Sequence, residues 1–336
     1  MKLPRGIRRD RLRRIVKRMP DRRVAVLGDV VLDEYLFGRS KRISREAPVA
    51  IVEHERSEYR LGGAANVAHN LAALGARVAG VALLGPDEAG ERLVELAAAA
   101  GVDVSGLLLV PGYVTPHKTR ILAGSLHTRR QQMLRVDRGG GEAGLAARRR
   151  LTARLREASA DAEAIVVSDY GHGTVGQAQL TAARALAERL PVCGDSRYQV
   201  SRFRGFTAVT PNAPEVERAL QVRLGAEAAA GDAGERLRKQ LRLPALLLTR
   251  GRQGMMLFTA AQAPVSLAAF GRDEVTDVTG AGDTVLATFS LALAAGGSPV
   301  EAACLANLAG GQVVLKAGAA TVSTAELLQA VGSVGR

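Results

Sequence analysis

The chain has 336 residues, 47% of them hydrophobic but only 3% aromatic and none Trp, so it can hold one large α/β domain or two small ones, with a core mostly of Ala, Val and Leu. Two cysteines, Cys193 and Cys304, exclude a disulfide framework and point to a reducing, cytoplasmic setting, and no apolar run reaches membrane-spanning length. The net charge of +13 sits at one end: residues 1–23 carry eleven Lys/Arg against Asp10 and Asp21, which leaves +4 for the other 313 residues.

That basic leader, residues 1–23, reads as a solvated Arg-rich helix with Ile7, Leu12, Ile15, Val16 and Met19 on its apolar side. The alternative is an arm that binds polyanions; because the charge is local, nucleic-acid binding by the fold is not expected. Residues 24–336 form the domain. Val24–Gly28 predicts a buried strand ending in Gly28-Asp29, with Asp33 four residues on. Ligands collect at the carboxyl ends of strands in open parallel sheets, so Asp29 and Asp33 either hold ligand hydroxyls or cap a turn. The strand is not followed by G-x-G-x-x-G, which disfavours a dinucleotide fold.

Residues 34–60 and 113–137 mix aromatic, β-branched and charged residues and predict a small lid sheet outside the main one. Between them, Gly62-Gly63 lets backbone approach a ligand, and Asn66 opens a helix whose Val67, Leu71 and Leu74 share one side before Gly75 stops it. His69 falls on an exposed or packed side with no catalytic role expected. A strand over 78–85 and a helix over 87–100 follow. From residue 143, helices alternate with short apolar strands at 164–168, 191–194, 208–210 and 245–249, the rhythm of a doubly wound parallel sheet flanked by helices. Polar residues cluster at the strand ends: Ser168–Gly173, Asp195-Ser196-Arg197, Thr210–Glu215, and the Thr249–Gly254 loop. Asn212 with Glu215 also fits a plain capping box, and the last loop a plain turn.

The stretch Asp277-Val-Thr-Gly-Ala-Gly-Asp-Thr284 precedes an apolar helix predicted over 284–295. A helix start offers unpaired N–H groups and positive potential to an anion, and a carboxylate beside bound phosphate can accept a proton from an attacking hydroxyl. Alone, Asp283 could equally be a cap. The stretch, however, resembles the second signature of the PfkB (ribokinase-like) carbohydrate kinases, and Gly62–Asn66 resembles the first. The likeness runs over about residues 22–330 and includes Thr210-Pro-Asn-x-x-Glu215 and Gly251-x-x-Gly254. It is strongest to the branch that acts on heptose 7-phosphate, through Gly28–Asp33, Arg42-Ile-Ser-Arg-Glu-Ala-Pro48, Lys118-Thr-Arg120, Gln132–Asp137, Ser168–Gly171 and the tail from Asn307 to Ser323.

The resemblance implies a ribokinase-like α/β fold and ATP-dependent phosphorylation of D-glycero-β-D-manno-heptose 7-phosphate at its anomeric hydroxyl. Asp283 would be the base, with Gly280, Ala281 and Gly282 holding the γ-phosphoryl group. Asp29, Asp33, Gly62, Gly63 and Asn66 would orient the sugar. Arg42, Lys118, Arg120 and Arg135 are the candidate cations for its phosphate. Asn212, Glu215 and Asp195 would serve the nucleotide, with Glu215 holding Mg²⁺ through water, and Thr249, Gly251, Gly254 and Asn307 would contact ATP. Asp277 and Thr279 would take a monovalent cation such as K⁺. The lid strands are expected to pair across a homodimer, and no membrane partner is expected. Two positions depart from the family pattern: His172 and Arg197 stand where Lys is usual, on the nucleotide or phosphate side. No nucleotidyltransferase segment follows, so adenylyl transfer is expected of another protein. The competing readings are another sugar or phosphosugar kinase, or a non-catalytic sugar-phosphate sensor.

Overall fold

Helix α1 (Arg9–Val16) buries Leu12, Ile15 and Val16, with Met19 beyond it, against the C-terminal helix, while Arg13, Arg14, Lys17 and Arg18 face solvent. Arg11 reaches across to Glu301 (3.1 Å) and the Gly296 carbonyl (2.8 Å). The computed structural model describes all residues except 1, 125–129, 226, 272–276, 317, 319 and 336, and the side chains of Lys41 and Arg42. In chain order follow β1 (Arg23–Gly28), β2 (Val30–Ile43), β3 (Ala50–Gly63), α2 (Ala64–Ala73), β4 (Arg77–Leu84), α3 (Glu88–Ala99), β5 (Val102–Leu109), β6 (His117–Gly124), β7 (Gln131–Arg138) and α4 (Leu145–Ala158). Then come β8 (Ala164–Asp169), α5 (Gln177–Arg184), β9 (Val192–Ser196), β10 (Ala208–Val209), α6 (Ala213–Leu220), α7 (Glu227–Gln240), β11 (Ala245–Thr249), β12 (Met255–Thr259), β13 (Val265–Leu267), α8 (Ala281–Ala294), α9 (Pro299–Val313) and α10 (Thr324–Ser333).

The main sheet runs β13-β12-β11-β10-β9-β8-β1-β4-β5, parallel from β11 to β5 and antiparallel at β12 and β13. Its central strands are buried on both faces, which is why they read as unbroken apolar runs. Val24 and Val26 face a core shared with α1, α2, α8, α9 and α10, while Ala25 and Leu27 face one shared with α4, α5, α6 and α7. The expected doubly wound sheet is therefore present. The edge strand β5 was not anticipated, because Ser105 and Gly106 interrupt its apolar pattern. Helix α8 starts at Ala281, three residues before the expected Thr284, and Asp283 to Ala292 are all buried. Among the described residues no helix is long and apolar enough to cross a membrane.

The lid is a separate four-stranded sheet, β3-β2-β6-β7, with β2 and β6 parallel and both flanking pairs antiparallel. Its register shifts, at Phe37/Gly38 and Ser40/Arg42 in β2 and at Ile121/Leu122 in β6, all lie in the outer half, away from the main sheet. Strand β7 is exposed almost throughout and shows Met133 and Leu134 to solvent.

Because α1 is docked by apolar contacts, Ile15→Ala should lower unfolding stability by about 2–4 kcal/mol in denaturant melts. Arg14→Gln, on the solvent side, should stay within about 0.5 kcal/mol of the parent.

Candidate active site

A cavity of ≈ 610 Å³ opens between the lid and the carboxyl ends of the central strands. Alternation along the lid strands decides what faces it. Val31 and Asp33 of β2, with Lys118 and Arg120 of β6, line this cavity, whereas Leu32, Glu34 and His117 line a second one of ≈ 380 Å³ on the other side of the same strands. Gly62, Gly63 and Asn66 enter from the β3–α2 junction. Gly63 has φ 57° and packs so closely on Asp29 that a Cβ would collide with the Asp29 carbonyl oxygen.

The floor is the start of α8. Gly280 turns the chain into the helix with φ 79°, and Gly280 and Gly282 line the cavity. First-turn amides have no acceptor inside their own helix, so they are available to an anion. The Ala281 amide is the exception, since it donates to the Val278 carbonyl (3.2 Å). Asp283 sits in the first turn, only 7% exposed, and each carboxylate oxygen receives a donor: Asn66 Nδ2 at 2.8 Å on Oδ2, Tyr170 Oη at 2.7 Å on Oδ1. Burial raises its pKa to about 6 against those two hydrogen bonds, which lower it. The group is thus mostly ionised at neutral pH yet basic enough to take a proton. Lys118 Nζ lies 5.4 Å from the Tyr170 ring centroid, and burial pushes its ammonium below the usual lysine range.

Opposite the lid, Asp195, Arg197, Asn212, Glu215 and Arg218 line the wall. Asn212 and Glu215 do form a reciprocal cap at the start of α6, with bonds of 2.8 and 3.0 Å, and still present to the cavity. Asp195 Oδ1 is buried without a hydrogen-bond partner, and burial, then the charges of Glu215 and Asp283, push that carboxyl well above the usual range. Burial likewise raises Glu215. Two such carboxylates side by side form a niche for a cation.

Other expected residues are placed elsewhere. Asp29 is fully buried behind the cavity, where its oxygens accept from the amides of Tyr170 (2.8 Å), His172 (3.0 Å) and Thr174 (2.8 Å). It shapes the 170–174 loop instead of facing the cavity. Arg120 lines the cavity but is paired with Asp33 at 2.6 Å. Arg135 is exposed on β7 and paired with Asp137 at 2.9 Å. The Arg42 side chain is outside the described residues. Asp277 accepts from the amides of Thr279 (2.9 Å) and Gly318 (3.0 Å); despite burial, which raises it, these bonds hold its carboxyl below the usual range. Thr279 lines the cavity. Thr249, whose amide donates to the Pro211 carbonyl (2.9 Å), the turn glycines Gly251 and Gly254, and Asn307, which donates to the Ala268 carbonyl (2.8 Å), do not line this cavity. Residues 272–276, which lead into the 277–284 stretch, are outside the described set. Sequence reasoning marked Ser168–Gly173 and Asp195-Ser196-Arg197 as polar strand ends but gave Tyr170 and Arg197 no role in the site, and missed Arg218; nothing in the local sequence says that these side chains converge.

The site is thus a sheet of this topology with a detached lid, over a helix start bearing glycine amides and a buried carboxylate. The family model described as "pfkB family carbohydrate kinase" matches residues 21–326. A D-beta-D-heptose 7-phosphate kinase of Bordetella bronchiseptica is 43% identical over 312 residues, covering 93% of this chain and 96% of that protein. The bifunctional protein HldE of Geobacter metallireducens is 43% identical over 91% of this chain, but the match spans only 62% of HldE. Among solved structures, Escherichia coli phosphofructokinase-2 with substrates and products superposes with a TM-score of 0.76 at 18% identity, over 94% of this chain and all of that one. Arabidopsis thaliana ribokinase with ribose and ATP gives 0.72 at 19% identity, over 93% and 99%. The chain belongs to the PfkB family of carbohydrate kinases.

Since Asp29 satisfies three backbone amides, Asp29→Ala should cost about 3 kcal/mol or more in denaturant melts, because buried donors are left unpaired.

Proposed function

We propose that this kinase transfers the γ-phosphoryl group of ATP to the anomeric hydroxyl of D-glycero-β-D-manno-heptose 7-phosphate, giving the 1,7-bisphosphate. The observation that carries the mechanism is the ionisable, buried Asp283 beside the cavity-facing Gly280 and Gly282. The sugar assignment is drawn from the Bordetella relative, which matches along nearly its whole length.

In this mechanism Asp283 takes the hydroxyl proton as the sugar oxygen attacks the γ-phosphorus, and the bond to the bridging oxygen breaks to release ADP. The amides of Gly280 and Gly282 face the charge that builds on the transferring group. Asp33, held by Arg120, and the Gly62-Gly63 backbone orient sugar hydroxyls. With Arg120 and Arg135 engaged by aspartates, the cations that remain for phosphate among the described residues are Lys118, Arg197 and Arg218, none of which forms an ion pair with another described residue. The unpartnered Asp195 oxygen beside Glu215 fits Mg²⁺ held through water. When bound, Mg²⁺ neutralises nucleotide phosphate charge. Asp277, kept ionised beside the Gly280 turn, and Thr279 are the proposed holders of a monovalent cation. The exposed β7, with Met133 and Leu134 outward, supports lid pairing in a homodimer.

A panel of sugars and sugar phosphates with ATP, read by ADP release and product phosphate position, should give the heptose 7-phosphate as the best substrate; faster turnover of another sugar would replace the assignment. Asp283→Asn should lower kcat by about 10³-fold with sugar binding retained. The base must be unprotonated, so kcat/KM should fall as pH drops through about 6 and level off above it.

A further inference from the structure

The bond from Asn66 to Asp283 requires the Asn66 amide to present its nitrogen, and an isolated amide can turn either way. What fixes it lies one turn further along α2. Asn70 is buried and donates from Nδ2 to the Asn66 main-chain carbonyl oxygen at 2.9 Å and to Asn66 Oδ1 at 3.3 Å. A main-chain carbonyl only accepts, so Asn70 must turn its nitrogen to Asn66 and its oxygen away. On that far side Thr284 Oγ1 donates to Asn70 Oδ1 at 2.8 Å, with a longer approach of 3.2 Å to the Gly280 carbonyl. Thr284 is 1% exposed and follows Asp283 directly in α8. Donor and acceptor roles therefore run one way, from the Thr284 hydroxyl to Asn70, from Asn70 to Asn66, and from Asn66 to the carboxylate. With Oδ1 of Asn66 facing the Asn70 amide, Nδ2 is what it has left for Asp283.

We propose that Asn70 and Thr284 are positioning residues that set the direction of the Asn66 amide, so that a donor, and never an acceptor, faces the carboxylate of Asp283. The inference rests on Asp283 acting as the base. The reversed amide would bring Oδ1 against Oδ2, two acceptors at hydrogen-bond range, tolerable only if Asp283 holds a proton. A base that already holds a proton cannot take one from the sugar, so the relay keeps the carboxylate ready at neutral pH. Its start and end lie on one turn of α8, and its middle lies on α2, so the two signature helices must stay in contact for it to work.

The test uses the full chain with ATP and the best sugar phosphate from the panel, comparing Thr284→Val, Thr284→Ser and Asn70→Ala. Thr284→Val and Asn70→Ala should lower kcat by about 10- to 100-fold. They should also move the acid limb of kcat/KM upward by at least about half a pH unit, with the sugar Kd changed less than about threefold. Thr284→Ser, which keeps the hydroxyl, should recover both rate and limb relative to Thr284→Val. An unmoved limb in folded Thr284→Val, or Thr284→Ser as impaired as Thr284→Val, overturns the proposal. If Asn70→Ala does not fold, the Thr284 pair decides alone. Asp283→Asn in parallel separates the two ideas: retained turnover overturns the base assignment and the relay with it. Lost turnover beside an unmoved limb in Thr284→Val overturns the relay only.

Discussion

A carboxylate taken out of water tends to hold a proton, and the site is organised around keeping one ionisable at the mouth of an apolar helix. Asp283 is nearly inaccessible, on a helix whose next nine residues are all buried. Burial raises its pKa and so works against the ionised form that the proposed base role needs. Asn66 and Tyr170 counter this with one donor to each oxygen, which leaves the pKa near 6, a compromise between readiness and basicity. Asn66 comes from α2 and Tyr170 from the loop after β8, so the chemistry depends on how two elements more than one hundred residues away in sequence pack against α8.

The loop that delivers Tyr170 is in turn held by Asp29, which gives its whole carboxylate to three backbone amides. An aspartate at the end of the first strand thus acts on the cavity through the loop it braces. The cations are divided in a similar way. Arg120 is neutralised by Asp33 and Arg135 by Asp137, while the Lys118 ammonium is pushed down by burial, with Asp33 countering and the Arg197 charge adding to that effect. Lys118 on the lid and Arg197 on the facing wall, where the Asp195 and Glu215 carboxylates also lie, suit a site that receives phosphates together with a metal ion.

Much of this was legible from sequence because the signals were local. Apolar runs marked both-face burial in the central strands, Gly62-Gly63 and Gly280 to Gly282 marked close backbone approach, and Leu12, Ile15, Val16 and Met19 marked an apolar side of α1, though not that this side docks into the core. Much of what was not legible depended on distant pairing. Arg120 looks like a phosphate ligand until Asp33, 87 positions away, is seen beside it, whereas Arg135 is removed by the exposure of its strand and by Asp137 two residues on. Tyr170 lies in the Ser168–Gly171 stretch that carries part of the family likeness, but its contact with Asp283 exists only because the β8 loop folds over α8. Strand β5 was hidden because Ser105 and Gly106 break its pattern, and the start of α8 because Gly282 is a poor helix former that the Gly280 turn nonetheless places in the first turn.

The lid strands have one further implication for how such a protein can change. Side chains alternate along β2, so inserting or deleting a single residue near its root would swap Asp33 for a neighbour that points into the opposite cavity. The irregularities of β2 and β6 all lie beyond that root, at Phe37/Gly38, Ser40/Arg42 and Ile121/Leu122, where an extra residue can be taken up as a bulge. The far end of the flap is therefore free to vary in length and shape between lineages while the frame that aims Asp33, Lys118 and Arg120 stays locked.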